Sequence, residues 1–551
     1  MDEKPSRKRL VIPALLLTLY VAQCLWFIGT QSLTCDEPAH MVAGLEALRY
    51  NKFEFLNDQP PLARVMFALP LLLQKTQIYW YEWLQVRATS PSPGVIAWTG
   101  RPVNVVLGVI LGIALWRAAR RWFSEGAANF ALALFAFSPG LIAHFSVMTV
   151  DGLSTLMIFL TGLQVARWWR DPSTKQTALL GTVLGLLLLA KFYTPPMFLL
   201  AFILVLILKP GGWKPIPTAW NWKQGFAVFF IAALVVWAGY FFHLSRVAFQ
   251  NGHAVVSFPN RGENVGIPYR GKDIALSVPF HANFNILFPA AEYLEGIWLV
   301  KEHNKFGHPT FLLGRISRMG WNLYYPIAIV LKWPTIVLLC AAAGILLRLR
   351  RRIAWPPEWR VMLLFPALLF GMAIFSSIQI GDRHILPIYP FLLLLAAGVW
   401  EWAREKRRWR FVLLAAVALN AADVLRYAPD YLSYFNVFVK PDKTWTLLSD
   451  SNVDWGSGLV ALHKYQQEHP TEDIHLAYFG SVDPKIYGIQ STQLSETGRA
   501  TGTVIVSAMD LTGHSLRDPK CFRWVLQYPR KAILNHTLWV FDVPTGQPAA
   551  Q

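Results

Sequence analysis

Asp36, Glu37 and His40 stand together in "TCDEPAHMVAGLEALRYNKFEFLNDQPPLAR", the stretch from Thr34 to Arg64. Pro38 favours the first turn of a helix. A helix starting there puts Asp36 and His40, four residues apart, on one face. A carboxylate so placed can serve as a general base or hold a metal. The plainer reading is that Asp36 and Glu37 complement a helix N-terminus, worth roughly 0.3–1 kcal/mol. Asp58, ahead of Gln59-Pro60-Pro61, belongs either to this acidic set or to a simple loop. Arg64 opens an apolar stretch and would meet a phosphate at headgroup depth.

Three further stretches carry chemistry-bearing types. "AHFSVMTVDGLST" sets His144 and Asp151 at the mouths of two apolar runs. An ionisable group there is costly unless paired, so it is a site candidate, with a helix cap as the alternative. "SIQIGDRHILPIYP" crowds Asp382, Arg383 and His384 into a short turn. Arg383 and His384 suit phosphate recognition; a local Asp–Arg pair capping the turn would look the same. Lys332 and Lys191 would add positive charge, although Lys191 could equally snorkel to an interface. "SDSNVDWGSGL" groups Asp450, Asn452, Asp454 and Trp455, a set that reads first as a turn and cap network.

These residues sit in an apolar chain. Of 551 residues, 54% are hydrophobic and 15% charged, with a positive mean hydropathy. Recurrent apolar runs make this a mainly α, polytopic helical membrane protein. The net charge of +18 would raise nucleic acid as a partner for a soluble chain. Here the basic residues cluster beside apolar runs, the pattern of cytoplasmic loops and anionic-lipid contact, so no nucleic-acid partner is expected. "MDEKPSRKRLVIPALLLTLYVAQCLWFIG" resembles a signal peptide in its basic start. The run is long and no small-residue cleavage site follows, which favours a retained first span. Cys24 and Cys340 lie in apolar runs. Cys35 and Cys521 fall in polar segments on one side, and a disulfide between them is an option. No Cys/His spacing suggests structural zinc.

About eleven spans are expected, over 10–30, 102–116, 127–146, 150–166, 177–193, 195–209, 225–243, 334–348, 358–378, 384–400 and 409–425. Lys/Arg clusters after every even-numbered span, and before the first, orient the N-terminus to the cytoplasm. The intervening segments 31–101 and 244–333 and the tail 426–551 then face outward. "PLARVMFALPLLLQ" is apolar but too short to span and reads as a helix on the outer surface. "WNLYYPIAIVLKWP" reads as a second interfacial helix. The tail has soluble composition: "SGLVALHKYQQ" is helical in pattern, and "DIHLAYFG", "TGTVIVSAM" and "HTLWVFDVP" are strand-like. Residues 1–425 thus form a transmembrane domain and 426–551 a small extracytoplasmic α/β domain, in a multi-pass protein of the inner (plasma) membrane.

Acid and phosphate-sized positive charge therefore gather on one face of the membrane. Transfer from a lipid phosphate demands that combination: a base for an acceptor hydroxyl and cations for the departing phosphate. A secondary transporter or lipid-carrier flippase is the main rival reading. Such proteins place ionisable groups near the bilayer midplane, often with repeat symmetry, and these apolar runs are nearly free of charge. A non-catalytic assembly protein with a partner-binding tail is the third.

"CDEPAH", "DQPPLARVMFALPLLL", "TVDGLST", "IQIGDRHILPIYPFLL", "YLSYFN" and "DSNVDWGSGL", in this order, extend over nearly the whole chain. In them the sequence resembles the C-type, polyprenyl-phosphate-sugar-dependent membrane glycosyltransferases, nearest to bacterial relatives of the protein O-mannosyltransferases and of the aminoarabinose transferases that modify lipid A. The resemblance implies an inverting transferase with a catalytic carboxylate in the first outer loop. That role carries to Asp36, with Glu37 and Asp58 beside it. His40, Arg64, Asp151, Lys332, Asp382, Arg383 and His384 become the substrate-binding set. The implied partners are a polyprenyl-phosphate-linked sugar donor, a glycan, lipid or protein acceptor, and membrane lipids. No cofactor is required by the residues themselves. The oligosaccharide-transferring relatives use a divalent metal, so Mg or Mn stays open. Nothing here resembles the large luminal insert of the eukaryotic protein mannosyltransferases; the compact tail takes its place.

Overall fold

The computed structural model describes residues 10–53, 55, 57–81, 85–208, 222–257, 273–277, 283–354 and 359–544. The basic clusters before residue 10 and at 209–214 lie outside them. The chain is mainly helical, and each of the eleven apolar runs coincides with helix.

Helix α1 (Val11–Thr30) leads into an irregular segment that starts extended at Gln31, and α2 (Glu37–Tyr50) starts with Asp36 at its N-cap and Pro38 in its first turn. It ends at Asn51, whose φ of 55° is the left-handed cap that asparagine tolerates. Helix α3 (Pro61–Leu73) covers the short apolar stretch; it buries Ala63, Arg64, Phe67 and Leu71 and exposes Leu69 and Leu73. The two pack closely because Gly44 has no side chain: a Cβ there would strike the Arg64 carbonyl. That approach brings His40 within reach of Arg64.

An antiparallel hairpin, β1 (Gln77–Tyr81) and β2 (Gln85–Ser90), precedes α4 (Pro93–Trp122). Helix α4 begins nine residues before the expected position 102, so the first outer segment ends near 92 and Arg101 lies inside a helix. The run 127–146 is broken into α5 (Glu125–Ala136) and α6 (Pro139–His144), because Pro139 cannot continue the preceding helix. Next come α7 (Val150–Arg170), α8 (Thr174–Leu188), α9 (Thr194–Leu208) and α10 (Trp222–Gly239).

The segment after α10 holds a four-stranded antiparallel sheet that the sequence did not announce. Its strands are β3 (Leu244–Gln250), β4 (His253–Ser257), β5 (Asp273–Ser277) and β6 (Phe284–Pro289), in the order β5-β4-β3-β6. Then follow α11 (Ala291–Phe306) and the small hairpin β7 (Thr310–Leu312) and β8 (Arg315–Ser317). The expected interfacial helix is α12 (Tyr324–Lys332). It meets α13 (Thr335–Leu349) at 114° across Pro334. The run 358–378 divides into α14 (Trp359–Met362) and α15 (Leu364–Ile374). A 3-10 turn, Asp382–Ile388, opens α16 (Tyr389–Ala403), and α17 (Arg407–Leu425) completes the helical part.

Among the described residues four helical segments are long and apolar enough to cross a membrane alone: Val11–Thr30, Pro93–Trp122, Trp222–Gly239 and Asp382–Ala403. The bent pair α12–α13 passes the same test taken together. Large apolar side chains such as Trp26, Phe230, Leu339 and Leu419 are exposed on these and neighbouring helices. A bilayer would cover such faces; water would not.

The tail contributes α18 (Leu459–Glu468), β9 (Ile474–Ala477), β10 (Thr492–Gln493), β11 (Gly502–Ser507), α19 (Ala508–Thr512), β12 (Arg530–Leu534) and β13 (Leu538–Val543). The helix and three of the strands lie where the residue pattern puts them. The sheet order is β10-β9-β11-β13-β12; β9 lies parallel to β10 and β11, while β13 is antiparallel to β11 and β12. Val504, Ile505 and Val506 of central β11 are fully buried. One contiguous apolar core runs from Tyr20 of α1 to Val543 of β13.

Candidate active site

The strand ahead of α2 is fixed from the tail. Ser32 N–H donates to the Ser457 carbonyl (3.0 Å), Cys35 N–H to the Trp455 carbonyl (2.8 Å), and Leu33 N–H to the Tyr487 hydroxyl (2.9 Å). Asp36 is delivered at its end. Its side chain is 38% exposed, against 0% for Glu37 and 1% for Asp151. Asp36 is therefore the carboxylate among these three that a ligand can reach.

Arg383 arrives from the opposite side of the sequence. Gly381 turns the chain with a φ of 125°, and a Cβ there would run into Ser451 Oγ. Arg383 Nη1 donates to Asp36 Oδ2 at 2.9 Å and stands 3.7 Å from Asp151 Oδ2. Asp151 Oδ1 pairs with Lys191 Nζ at 2.5 Å. Lys191 does not snorkel outward; it is buried against this carboxylate. The half-buried His384 lies in electrostatic range of Lys191, Arg383 and Asp151. Two acids and two cations thus alternate across a single cluster, in which Asp36 and Arg383 are in direct contact.

A second group adjoins it. Arg64 Nε donates to His40 Nδ1 (3.2 Å) and Arg64 Nη2 to Asp58 Oδ1 (3.0 Å). Burial, reinforced by Arg64, pushes His40 well below the ordinary histidine value, so its ring is neutral and Nδ1 is free to accept. Asp58, expected as a catalytic carboxylate, is here the counter-ion of Arg64. A small cleft lined by Phe53, Phe55, Asn57, Gln59 and Val65 ends at Arg64.

Three expected site residues have other work. Glu37 Oε1 accepts from Arg101 Nε and Met148 N–H, both 2.8 Å; Oε2 accepts from Arg101 Nη2 (2.8 Å) and Thr34 N–H (2.7 Å). Its acceptor capacity is filled, so it cannot serve as a second catalytic carboxylate. Lys332 Nζ donates to the carbonyls of Leu432 (2.8 Å) and Asn452 (2.5 Å) and lies over the Phe435 ring. It ties the tail to α12 instead of meeting a phosphate. Asp382 Oδ2 accepts from Trp333 Nε1 (3.1 Å), and its own N–H donates to Asn452 Oδ1 (3.0 Å). It braces the turn that carries Arg383. Cys35 and Cys521 are both free thiols, so the optional disulfide is not formed.

The sequence reading missed Arg101 and the pair His303–His308, and it assigns Trp455 to a turn and cap network although its ring lies under Arg383. Arg101 announces itself only as a lone charge in the apolar approach to span two, which at that depth requires a partner. His303 Nε2 and His308 Nδ1 are 3.1 Å apart, and burial lowers both rings. His308 N–H donates to the Ser377 carbonyl, on the segment leading to Arg383.

A divalent cation fits these residues poorly. Among the described residues no three His, Cys, Asp or Glu side chains converge as metal ligands. Between Asp36 and Asp151, where a cation would bridge two carboxylates, the guanidinium of Arg383 is in place.

Residues 78–238 match the family model of the dolichyl-phosphate-mannose-protein mannosyltransferases. A search of curated proteins finds no significant match. The fold is shared with the Saccharomyces cerevisiae protein O-mannosyltransferase Pmt1-Pmt2 complex bound to the sugar donor. That match has a TM-score of 0.51 and 11% identity, over 78% of this chain and 90% of that chain. ArnT from Cupriavidus metallidurans, bound to undecaprenyl phosphate, aligns over 96% of this chain and 97% of its own, with 13% identity and a TM-score of 0.48.

Proposed function

We propose that this chain is an integral membrane glycosyltransferase that moves a sugar from a polyprenyl-phosphate carrier to an acceptor hydroxyl at the outer face of the membrane. The observation that carries the reading is the pairing of a reachable carboxylate, Asp36, with the buried guanidinium of Arg383 at 2.9 Å. The family match over 78–238 and the shared fold support the same reaction class.

In this reading the acceptor oxygen attacks the anomeric carbon, and its proton passes to Asp36 Oδ1. That oxygen has no hydrogen-bond partner among the described residues, whereas Oδ2 is held by Arg383. The bond from the anomeric carbon to the carrier phosphate breaks, and its electron pair leaves with the phosphate. In-line attack inverts the sugar carbon. Arg383 and Lys191, already poised beside two carboxylates, provide the cationic field that the departing phosphate requires. Arg64, His40 and Asp58 form the neighbouring wall, where a second phosphate oxygen or a sugar hydroxyl would bind. The acceptor is a glycan, a glycolipid or a protein. In this reading the chain crosses the inner membrane about eleven times with its N-terminus in the cytoplasm, and the tail and this site face outward.

The experiment is transfer of radiolabel from a polyprenyl-phosphate sugar to membrane glycolipid or added protein by the purified chain. Asp36→Asn is expected to lower the rate by at least about 100-fold, the range for a lost general base. Its melting temperature should stay close to that of the wild type, because asparagine keeps an acceptor oxygen at a partly exposed position and Arg383 still has Asp151 3.7 Å away. Normal turnover by this variant would remove Asp36 from the chemistry.

A further inference from the structure

The stretch "DSNVDWGSGL" has no part in the reaction as drawn above, yet it touches both halves of the site. Trp455 is 2% exposed, and its indole face lies under Arg383, with Cζ 4.1 Å from the ring centroid. The His144 ring meets the same indole edge-on at a centroid distance of 5.9 Å and holds it in place. The Trp455 carbonyl accepts the N–H of Cys35, the residue immediately before Asp36. One residue therefore contacts the cation through its side chain and the acid's strand through its backbone.

Its neighbours fix the rest of the Arg383 turn. Ser451 Oγ donates to the Ile380 carbonyl (2.7 Å), and Asn452 Oδ1 accepts from Asp382 N–H (3.0 Å). Asn452 is itself held by Tyr324 Oη and the Ser449 carbonyl. A guanidinium on a long, flexible stem has many orientations open to it. Stacking on a rigid aromatic face leaves it one plane, and in that plane every N–H lies in the edge. Nη1 on that edge donates to Asp36 Oδ2 and stands 3.7 Å from Asp151 Oδ2, while Nε donates to the Ile380 carbonyl at 3.5 Å.

We propose that Trp455 is a positioning residue for sugar transfer: its indole face sets the plane of Arg383 while its carbonyl sets the strand of Asp36, keeping cation and base in register around the departing phosphate. The tail is thereby part of the active site. The proposal rests on the transferase reading and adds to it a residue that touches no reacting atom.

The test is a kinetic cycle on the full-length chain in lipid nanodiscs, with a polyprenyl-phosphate sugar as donor. Trp455→Leu keeps the position apolar, with a smaller side chain, and removes the π face. It is expected to lower kcat roughly 10- to 30-fold, the scale of a desolvated cation–π contact, with a much smaller change in donor KM. Trp455→Phe keeps a flat face and should stay within about threefold of wild type. In an Arg383→Ala background, Trp455→Leu should cost less than about threefold, because the residue it positions is gone. An equal loss in both backgrounds would make Trp455 merely structural and overturn the proposal. So would Trp455→Phe that folds with the wild-type melting temperature yet loses kcat about 10-fold or more relative to wild type, and this arm stands even if the leucine variant does not fold. Wild type that transfers no sugar would overturn the transferase reading itself, a result distinct from active wild type with an unimpaired leucine variant.

Discussion

Asp36 and Glu37 are adjacent carboxylates, and the structure gives them opposite consequences on mutation. Glu37 and Arg101 are both wholly buried and meet in a two-pronged pair. Arg101 also donates to the carbonyls of Gln31 (2.9 Å) and Ser32 (2.7 Å), and Glu37 also accepts from Thr34 and Met148. The pair therefore joins α4, the turn before α7 and the strand that presents Asp36. Glu37→Gln keeps the shape and removes the charge. Its single oxygen can serve only two of the four donors. The new amide N–H atoms then face the other two. A buried cation left without its partner costs about 3–5 kcal/mol, and the orphaned donors are part of that figure.

Against a total stability on the order of 10 kcal/mol for an ordinary domain, such a loss is severe. The expected drop in melting temperature for the purified protein is roughly 5–10 °C. Activity should fall because the Asp36 strand loosens, and it should recover in part when the lone charge is also removed. Glu37→Gln combined with Arg101→Met should thus be more stable than Glu37→Gln alone. The assay is paired thermal unfolding and transfer activity for Asp36→Asn, Glu37→Gln and the double variant. If Glu37→Gln melted with the wild type and lost activity as fully as Asp36→Asn, Glu37 would be a participant in the chemistry and the latch assignment would be wrong.

Other consequences follow from the tail. Burial pushes Asp454 and Asp510 up to about 7 and Asp450 up to about 6. A carboxyl raised in the folded state binds its proton more tightly than the unfolded chain does. Stability is then greatest at or below about pH 4 from these groups, and falls as pH rises towards 7. The melting temperature of the wild type should be higher at pH 5.5 than at pH 8, and Asp454→Asn should reduce that difference; an unchanged pH dependence would count against the assignment. Lys332→Met leaves the carbonyls of Leu432 and Asn452 without their charged donor, at roughly 1.5–3 kcal/mol for each such bond. The tail of this variant should be cut faster by a protease added to intact nanodiscs, and equal protection would show that Lys332 is not the tie.

What the residues disclosed and what they withheld divide along physical lines. Apolar runs of membrane length could only become helices, because a bilayer leaves no other way to satisfy the backbone. The alternation in "TGTVIVSAM" and "HTLWVFDVP" likewise survived as β11 and β13. The sheet β3–β6 was hidden because its strands are short and interrupted by turn residues, and pairing between distant segments leaves no local periodicity. At the site, the residue types were legible, but the partners were not. Neighbours on a helix point about 100° apart. Asp36 and Glu37 therefore face different surroundings, and which one met Arg383 depended on where α4 placed Arg101, more than 60 positions later in the chain. The same dependence explains Lys332 and Asp382. Each is an ionisable group beside an apolar run, and its type alone reads as ligand-binding. What the sequence could not supply was the tail's folding back onto α12 and the 3-10 turn. Once Asn452 sits between them, offering its carbonyl to Lys332 and its amide oxygen to Asp382 N–H, those positions are braces. Arg383 alone among that turn's charges is left pointing at a carboxylate a substrate can reach, so the tail, by what it occupies, determines which of the crowded polar residues remain available for chemistry.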